Sequence, residues 1–350
     1  MALTSAPNDA TQDVGAVLTE VGQRVRRAML DAVPDLEPHR WLYELVRAYP
    51  GRPGKALRPA LCLATCRAFG GSDDEAFPVA VAIELLHNAF LVHDDIADGS
   101  ERRRGRPTLP AHYGSPLALN AGDAMVVLAN RMLRHHARTL DPELADRVLE
   151  EFDIMALRTL EGQATELGWR RDRVSGLSPE DYLDLILHKT CWYTTIHPLR
   201  VGALLGSQGS ADLGAMVRFG FYLGAAFQIR DDLLNLTGDE ELYGKEINGD
   251  LYEAKRTLAL IHLEAEVRGD DATTLADYLA VDRPERTESM VAEVRRLLDV
   301  YGSIEFAADF AQGIAVAAAD AYEEAFAECP HSDDTGFVRA LVPYMLGRST

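Results

Sequence analysis

Positive charge is scarce in this 350-residue chain, which has 35 lysines and arginines against 55 aspartates and glutamates. The formal net charge of -20 argues against a broad nucleic-acid-binding surface, because proteins that bind the phosphate backbone usually present a basic face. An anionic ligand must therefore meet cations that are concentrated locally. The densest such cluster comprises Arg102, Arg103, Arg104 and Arg106.

Cysteine is also rare, and targeting signals are missing. The four cysteines are too few and too scattered for a disulfide scaffold, and no CxxC pair indicates a zinc or redox site. The first twelve residues lack the basic start and apolar stretch of a signal peptide, and no uninterrupted apolar run reaches membrane-spanning length. We therefore expect a cytoplasmic protein with no transmembrane segment.

Alternating strand patterns are absent, and the apolar residues recur at helical spacing almost throughout. This pattern predicts an all-α protein. Because no linker rich in proline, glycine and serine divides the chain, we expect a mobile N-terminal segment, 1–11, followed by one domain, 12–350. Helices are predicted near 12–32, 38–49, from 55 onward, 74–98, 117–139, 142–167, 179–206, 211–236, 254–268, 270–280, 285–300, 303–328 and 333–346.

Two interruptions of this helical pattern carry further predictions. Pro198 removes a backbone donor inside a helix and should kink it. The stretch 166–179 mixes arginines with turn residues and is interpreted as a surface connection. Its Arg170, Arg171 and Arg173 could form an anion site, but a solvated loop is the preferred interpretation.

A carboxylate cluster ends the predicted helix 74–98. Asp94 and Asp98 are four residues apart and share a helical face, with Asp95 beside them. Acidic side chains at a helix C-terminus oppose the helix dipole, so a purely structural cluster would be costly. Oxygen-rich clusters of this kind suit Mg²⁺, whose coordination is commonly completed by substrate phosphates.

Residues that could bind an anion lie before and after this acidic cluster in the sequence. His87 lies two helical turns before Asp94 and returns to nearly the same face. Arg103 and Arg104 follow the acidic cluster, where guanidinium groups can bind phosphate oxygens in pairs. Further upstream, Lys55 and Arg58 are placed three residues apart on the first turn of a helix, a favourable position for an anion.

A second polar cluster ends the helix predicted near 211–236. Its members occupy helical offsets 0, 3, 4 and 7 and so form one stripe: Gln228, Asp231, Asp232 and Asn235. Lys245 and Lys255 follow and supply two more cations. Two acidic walls that face cations fit a cavity in which several Mg²⁺ ions hold a diphosphate.

The order and spacing of these motifs resemble those of the trans-isoprenyl diphosphate synthases, which include farnesyl and geranylgeranyl diphosphate synthases. The resemblance spans most of the chain. It is carried by GKALRP at 54–59, ELLHNAFLVHDDIADGSERRRGRPT at 84–108, GQ at 162–163, KT at 189–190, FQIRDDLLN at 227–235 and GKEINGDLYEAKRT at 244–257.

The resemblance implies a single-domain all-α bundle around a deep central cavity, usually in a homodimer. Such a protein would join isopentenyl diphosphate to an allylic diphosphate with the help of two to three Mg²⁺ ions. The implied metal ligands are Asp94, Asp95, Asp98, Asp231 and Asp232, with Asp94 and Asp98 the foremost. The implied allylic diphosphate contacts are Arg103, Lys189, Lys245 and Lys255, and those of isopentenyl diphosphate are Lys55, Arg58, His87 and Arg104.

The implied mechanism proceeds by ionisation, condensation and elimination. Thr190 and Gln228 match polar residues near the developing cation, and the leaving diphosphate takes the proton. One departure is Asn235, which stands where many members have the last aspartate of the second motif. Because Asp231 and Asp232 are intact, activity is expected to survive.

Product length is expected to depend on the residues just before the first motif. Phe90 adds bulk where a growing chain would run, while the small Ala89 leaves some space. We therefore expect a C20 product, with C15 the next candidate.

Three alternative functions fit the motifs less well. A class I terpene cyclase would normally carry an Asn/Asp-xxx-Ser/Thr-xxx-Glu site on a late helix, and the positions that follow Asp231 do not match it. A noncatalytic subunit of a heteromeric synthase would be expected to lose an aspartate motif. A ferritin-like dimetal bundle needs two helical Glu and His pairs, and only Glu84 with His87 qualifies.

Overall fold

The computed structural model describes residues 9–52, 54–238 and 247–347. Nearly all regular structure in these ranges is helical, which confirms the predicted all-α class. The α-helices are α1 (Asp9–Ala32), α2 (Glu44–Ala48), α3 (Leu57–Ala68), α4 (Asp73–Asp98), α5 (Leu109–Tyr113), α6 (Ser115–Ala137), α7 (Pro142–Arg171), α8 (Pro179–Ile186), α9 (His197–Gly206), α10 (Leu213–Thr237), α11 (Gly249–Tyr252), α12 (Leu258–Glu266), α13 (Gly269–Ala280), α14 (Glu288–Val300), α15 (Ser303–Ala325) and α16 (Asp333–Gly347).

Shorter elements complete the chain. They are π-helical turns at His39–Tyr43 and Leu187–Ile196, a 3₁₀ turn at Arg283–Glu285, and the antiparallel strands β1 (Arg102–Arg103) and β2 (Arg106–Pro107). Most predicted helices are found within a few residues of their expected bounds. Of the segment predicted to be mobile, residues 1–8 lie outside the described residues, and α1 already begins at Asp9.

Several predicted boundaries were wrong, and three of them lie near predicted site residues. The helix expected from Lys55 begins at Leu57, because the intervening Ala56 has φ 52°, a left-handed conformation that cannot continue a helix. The helix expected from 254 begins at Leu258 and is capped by Thr257. α7 continues four residues beyond its expected end, so residues 166–171 are helical rather than part of a surface connection.

Helix α4 lies at the centre of the bundle and packs against α1, α3, α6 and α9. Helix α10 packs against the π-helical turn Leu187–Ile196 and against α15. Two apolar clusters form the core, one around α3, α4, α6 and α9, the other around α10, α12, α14 and α15. The C-terminal ends of α4 and α10, which carry the two acidic motifs, are thereby fixed by packing along most of each helix.

Both ends of α4 are well defined. At its start, the backbone N–H of Ser72 donates to Glu75 Oε2 at 2.8 Å, which satisfies an otherwise free helix donor. At its end, Gly99 adopts φ 61° and closes the helix in the left-handed conformation. By length and composition α4 could cross a membrane, but most of it is buried inside this bundle.

The helical run from 179 to 206 is confirmed, but it is not uniform. Its backbone is π-helical over Leu187–Ile196 and returns to α-helix at His197, one residue before Pro198. The change in helix type lies just before Pro198, and the kink expected at this residue stays a prediction. π-Helical backbone is often found at functional sites, and this ten-residue segment carries Lys189 and Thr190.

Close packing of α3 and α9 gives a test of this fold. A Cβ at Gly206 would lie 2.2 Å from the backbone oxygen of Cys66, so Gly206→Ala should lower the free energy of unfolding by about 2 kcal/mol. A methyl group at Gly313, inside α15, would meet no atom within 4 Å, and Gly313→Ala should raise stability by about 0.5–1 kcal/mol. Denaturant unfolding of both variants measures the difference, and equal stabilities would contradict the packing.

Candidate active site

A cavity of about 630 Å³ opens between α4, α7, α10 and the π-helical turn. Asp94 comes from the end of α4 and Asp231 from the end of α10, so both acidic motifs contribute to one cavity. Phe90, Leu160 and Leu185 provide part of its apolar lining. The residues predicted from the sequence that line it are Lys55, Arg58, His87, Phe90, Asp94, Arg103, Arg104, Lys189, Thr190, Gln228, Asp231, Asp232 and Lys255.

Four predicted site residues are not among those that line the cavity. Ala89 is buried in the apolar core. Asp95 and Asp98 are also buried and are engaged by other side chains. Lys245 lies outside the described residues.

Asp95 forms the inner part of a buried network. Arg103 Nε donates to Asp95 Oδ1 at 2.6 Å, and the Tyr49 hydroxyl donates to Asp95 Oδ2. Both oxygens are therefore engaged by protein groups, and this geometry does not bring Asp95 to the cavity as a metal ligand. Instead, Asp95 holds the guanidinium of Arg103, whose Nη2 lies 3.3 Å from Asp94 Oδ2.

Ionisation in this network is shifted by burial. Burial raises the pKa of Asp95, even though the charge of Arg103 opposes the shift. Burial and then the charge of Asp95 raise the pKa of Tyr49, so its hydroxyl remains a donor. Burial alone would lower the pKa of Arg103, but the charges of Asp95 and Asp94 raise it. Arg103 is therefore held as a cation at the cavity wall.

Arg52 connects this network to the hairpin that follows α4. Its guanidinium stacks on the Tyr49 ring at 4.5 Å and donates to the backbone oxygens of Arg103 at 3.1 Å and Pro107 at 2.7 Å. The backbone of the hairpin is thus tied to the same tyrosine that binds Asp95. These contacts fix where β1 presents Arg103.

The two-residue turn of the hairpin places Arg104. Arg104 and Gly105 have φ of 52° and 72°, and positive φ at both turn residues suits the right-handed twist of a hairpin. The Arg104 side chain reaches Gly54, where an added Cβ would come within 2.9 Å of Nη2. Gly54 therefore leaves the space that this guanidinium needs beside the cavity.

Lys189 lies beside the first acidic motif. Its Nζ binds Glu166 and lies 3.7 Å from Asp94 Oδ1. A Cβ at Gly162 would stand 2.2 Å from the backbone N of Lys189, so α7 and the π-helical turn are in contact there. Although burial favours the neutral amine, Glu166 and Asp94 raise the pKa of Lys189.

Asp98 is surrounded by cations as well. Lys255 Nζ lies 3.2 Å from Asp98 Oδ2, and Arg170 Nη1 lies 2.8 Å from Oδ1. Both cations also bind Glu253, at 2.9 Å and 3.3 Å respectively. The interpretation of Arg170 as a solvated loop residue was therefore wrong, because the longer α7 brings it to the first acidic motif.

The second wall is organised around Asp232. Gln228 Nε2 donates to Asp232 Oδ1 at 2.6 Å, and the Tyr182 hydroxyl donates to Oδ2 at 2.7 Å. Thr190 Oγ1 donates to Gln228 Oε1 at 3.0 Å, which joins the π-helical turn to α10. Burial, followed by the charge of Asp250, raises the pKa of Asp232 to about 8.

Asn235 has a structural role that the sequence did not predict. Its side-chain oxygen accepts from the backbone N–H of Asp250 at 3.0 Å, and its backbone oxygen accepts from the backbone N–H of Asn248 at 2.8 Å. Asn235 is buried and holds α11, which carries Asp250, beside the cavity. The amide thus secures a neighbouring carboxylate of this wall.

Tyr193 organises the third group of predicted residues. Arg58 stacks on its ring at 4.3 Å and donates from Nη2 to Thr194 Oγ1 at 2.8 Å. The ring of His87 lies 5.7 Å from that of Tyr193, and the Phe90 ring meets it edge-on at 5.9 Å. Lys55 and Arg58 both line the cavity, but they are not on one helical turn, because α3 begins only at Leu57.

The donor set fits Mg²⁺. Carboxylates of both walls face one cavity, and burial together with the charge of the neighbouring Asp250 raises the pKa of Asp232. Within the described ranges, no three His, Cys, Asp or Glu side chains are already grouped around one metal position. Mg²⁺ is usually bound by one or two carboxylates plus substrate phosphates and needs no closed protein cage.

Comparison with known proteins agrees with this geometry. Residues 39–298 match the model of the polyprenyl synthetase family. The chain belongs to this family. Its curated relatives include the short chain isoprenyl diphosphate synthase of Methanothermobacter thermautotrophicus, which is 32% identical over 288 residues, or 81% of this chain and 83% of the relative.

Solved structures of polyprenyl synthetases share the fold. The geranylgeranyl pyrophosphate synthetase of Pyrococcus horikoshii has a TM-score of 0.84 and 32% identity, over 96% of this chain and 99% of its own. The polyprenyl synthase of Caulobacter crescentus, complexed with calcium and isoprenyl diphosphate, has a TM-score of 0.84 and 25% identity, over 98% and 100%. The family resemblance inferred from the motifs is confirmed.

The buried hydroxyl of Tyr49 provides a test of how the site is held. In Tyr49→Phe the carboxylate of Asp95 loses one donor, so the free energy of unfolding should fall by about 1–3 kcal/mol. Tyr43→Phe is the control, because its hydroxyl makes no hydrogen bond to the described residues. Chemical denaturation checks both variants, and a Tyr49→Phe protein as stable as the control would contradict the network.

Proposed function

We propose that the protein condenses isopentenyl diphosphate with an allylic diphosphate to form a short-chain trans-prenyl diphosphate. The observation that carries the proposal is a single cavity with two carboxylate walls, separate groups of cations and an apolar side. Geranylgeranyl diphosphate (C20) is the preferred product, and farnesyl diphosphate (C15) is the alternative. Membership of the polyprenyl synthetase family supports the reaction class.

In this proposal Asp94, Asp98, Asp231 and Asp232 hold two to three Mg²⁺ ions. The metal would supply charge that stabilises the departing diphosphate. Asp98 reaches this role only through an exchange of partners, because Arg170 and Lys255 engage both of its oxygens. Asp95 has a positioning role and acts through Arg103.

The two diphosphates are assigned to different groups of cations. Arg103, Lys189 and Lys255 already contact the acidic walls, so we assign them to the allylic diphosphate, together with Lys245. The second group lies on the Tyr193 side and near Gly54, and we assign it to isopentenyl diphosphate. Its members are Lys55, Arg58, His87 and Arg104.

The reacting carbons need a site that excludes water but tolerates a developing positive charge. Thr190 and Gln228 form a hydrogen-bonded pair that lines the cavity, so oxygen atoms are available between the two walls. We assign this pair to stabilisation of the allylic cation. The proton lost in the last step goes to the diphosphate, and no side-chain base is required.

The apolar surface supports assembly into a homodimer. Leu119 and Val127 on α6 are 49% and 62% exposed, and Leu157 and Leu160 on α7 are 59% and 53% exposed. Because α6 and α7 pack together, these four side chains belong to neighbouring elements. Large exposed apolar groups of this kind are typical of surfaces that a second subunit covers.

We place the protein in the cytoplasm. The four cysteines are all free, and three of them are buried. This is the state expected in a reducing compartment.

The central assay offers the purified protein C5, C10 and C15 allylic diphosphates with isopentenyl diphosphate and Mg²⁺. We expect a prenyl diphosphate whose length is read by mass spectrometry. Asp94→Ala should lower turnover by orders of magnitude, because it removes a carboxylate of the cavity wall without creating a core defect. Asp123→Ala, which truncates a more exposed aspartate on α6, is the control.

Two outcomes would count against the proposal. A hydrocarbon released from a prenyl diphosphate alone, with no condensation, would indicate a terpene cyclase. Near-normal turnover by a folded Asp94→Ala variant would contradict the assignment of Asp94 as a metal ligand.

Product length should depend on Phe90. Its ring lines the cavity and is braced by Tyr193, so Phe90→Ala should open space and shift the products toward longer chains. Phe221→Ala removes the same number of atoms from a partly buried ring on α10 that does not line the cavity. The product distributions of the two variants are compared by mass spectrometry. An identical shift in both would show that Phe90 does not determine product length.

A further inference from the structure

A second pocket of about 320 Å³ lies behind the first acidic motif. Six arginines line it, and we call it the arginine pocket: Arg170, Arg171, Arg173, Arg256, Arg283 and Arg286. It shares Ala97, Leu167 and Arg256 with the central cavity, so the two spaces have a common wall. None of the substrate assignments above uses Arg171, Arg173 or the two arginines that follow α13.

The charge of the arginine pocket contrasts with that of the chain. The chain has a net charge of -20, yet only three acids line this pocket: Asp98, Glu253 and Asp282. Even when Asp172, which pairs with Arg171, is counted, four acids face six arginines. Cationic charge therefore remains in excess, and like charges held close together are costly unless an anion is present.

Two of the arginines are held by neutral groups. Arg256 donates to the backbone oxygens of Val174 at 2.9 Å and Ala254 at 3.0 Å. Arg286 donates to the backbone oxygen of Tyr252 at 2.6 Å. Neither forms an ion pair with a carboxylate in the described part of the chain, so their charges are positioned but not paired.

Two guanidinium nitrogens of the pocket also lack a hydrogen-bond partner within the described ranges. Arg283 Nη1 and Arg286 Nε are shielded from solvent and have no hydrogen-bond partner among the described residues. Arg283 Nη1 lies 3.8 Å from Glu253 Oε1, which is beyond hydrogen-bonding distance. Shielded guanidinium donors of this kind are suited to the oxygens of a phosphate group.

Neutralisation of the first acidic motif does not explain why all six arginines are present. Arg170 contacts Asp98 directly, and Arg283 approaches Glu253. Arg173 pairs instead with Asp282, and Arg256 and Arg286 bind backbone oxygens. Among the described residues Arg171 pairs only with Asp172, so four of the six arginines have no direct contact with the carboxylates of that motif or with Glu253.

From these observations we propose that the arginine pocket is an anion site for a diphosphate group, separate from the two substrate headgroups of the central cavity. Its volume and the few apolar side chains that line it favour a free diphosphate over a headgroup that carries a long prenyl chain. The proposal stands whether or not the protein catalyses the condensation.

Binding of an anion in the arginine pocket would change ion pairs at the central cavity. Arg170 extends from the arginine pocket to Asp98 and Glu253, and both of these acids also bind Lys255. An anion that draws Arg170 away would leave Lys255 as the closest remaining cation of Asp98. The pocket would thereby change the ion pairs of the first acidic motif.

The test is calorimetric titration of the full-length protein with inorganic diphosphate in the presence of EDTA. Because EDTA withholds the metal that the allylic headgroup needs at the acidic walls, the unmodified protein should show two classes of site, the arginine pocket and the group that contains Lys55 and Arg58. The double variant Arg173→Gln with Arg286→Gln should lose one class or weaken it by at least about tenfold, since charge-assisted hydrogen bonds are removed. Lys55→Gln with Arg58→Gln should weaken the other class. Arg158→Gln, an exposed change on α7, should leave both intact.

Thermal unfolding shows whether each variant is folded, and the single change at the half-exposed Arg173 provides a milder substitution if the double variant is not. Repeating the titration with a non-hydrolysable prenyl thiolodiphosphate separates a free diphosphate from a headgroup. The relevant class of site is the one that the Arg173 and Arg286 changes weaken. If inorganic diphosphate binds there more tightly than the prenyl thiolodiphosphate, the result supports the proposal. One class of site in the unmodified protein, or two unchanged classes in the double variant, would overturn it.

Discussion

The structure depends on compensation of negative charge at the end of α4. Three aspartates lie where the helix dipole is already unfavourable for acids, and two of them are almost completely buried. Such carboxylates are stable only when they are paired and hydrogen-bonded. Arg103, Lys189, Arg170 and Lys255 come from four different parts of the chain to provide this pairing.

This compensation explains why the site is built from long-range contacts. The hairpin after α4 delivers Arg103, the π-helical turn delivers Lys189, and the segment before α12 delivers Lys255. Backbone strain accompanies these placements, since Ala56, Arg104 and Ala254 all have positive φ and each adjoins a predicted site residue. Strained residues often cluster at functional sites, where the surrounding structure enforces them.

Much of the site could be predicted from the sequence, and the reasons are local. Asp94 and Asp231 stand out because helical spacing brings acids to the ends of two apolar helices. The family resemblance then connects them with lysines that periodicity alone would not single out. Lys55 shows the limit of local reasoning, because its helix was predicted to begin two residues too early and the left-handed Ala56 left no clear signal.

The supporting residues could not be predicted in the same way. Tyr49 and Asp95 are 46 residues apart in the chain, and Arg170 and Asp98 are 72 apart. Their contacts arise from the packing of separate elements. The arginine cluster around Arg170 is visible in the sequence, but its contact with Asp98 is not. Asn235 was noticed as a departure from a motif, but its hydrogen bond to the backbone of Asp250 requires the folded chain.

Our central claim, which rests on the proposed function, is that protein cations pair with the carboxylates of the first acidic motif until a diphosphate enters the cavity. These carboxylates would then bind Mg²⁺ only together with the diphosphate. Titration of Mg²⁺ into the protein, with and without a non-hydrolysable allylic diphosphate analogue, measures this directly. We predict weak binding of Mg²⁺ alone and much tighter binding with the analogue. Equally tight Mg²⁺ binding in both titrations would contradict the claim.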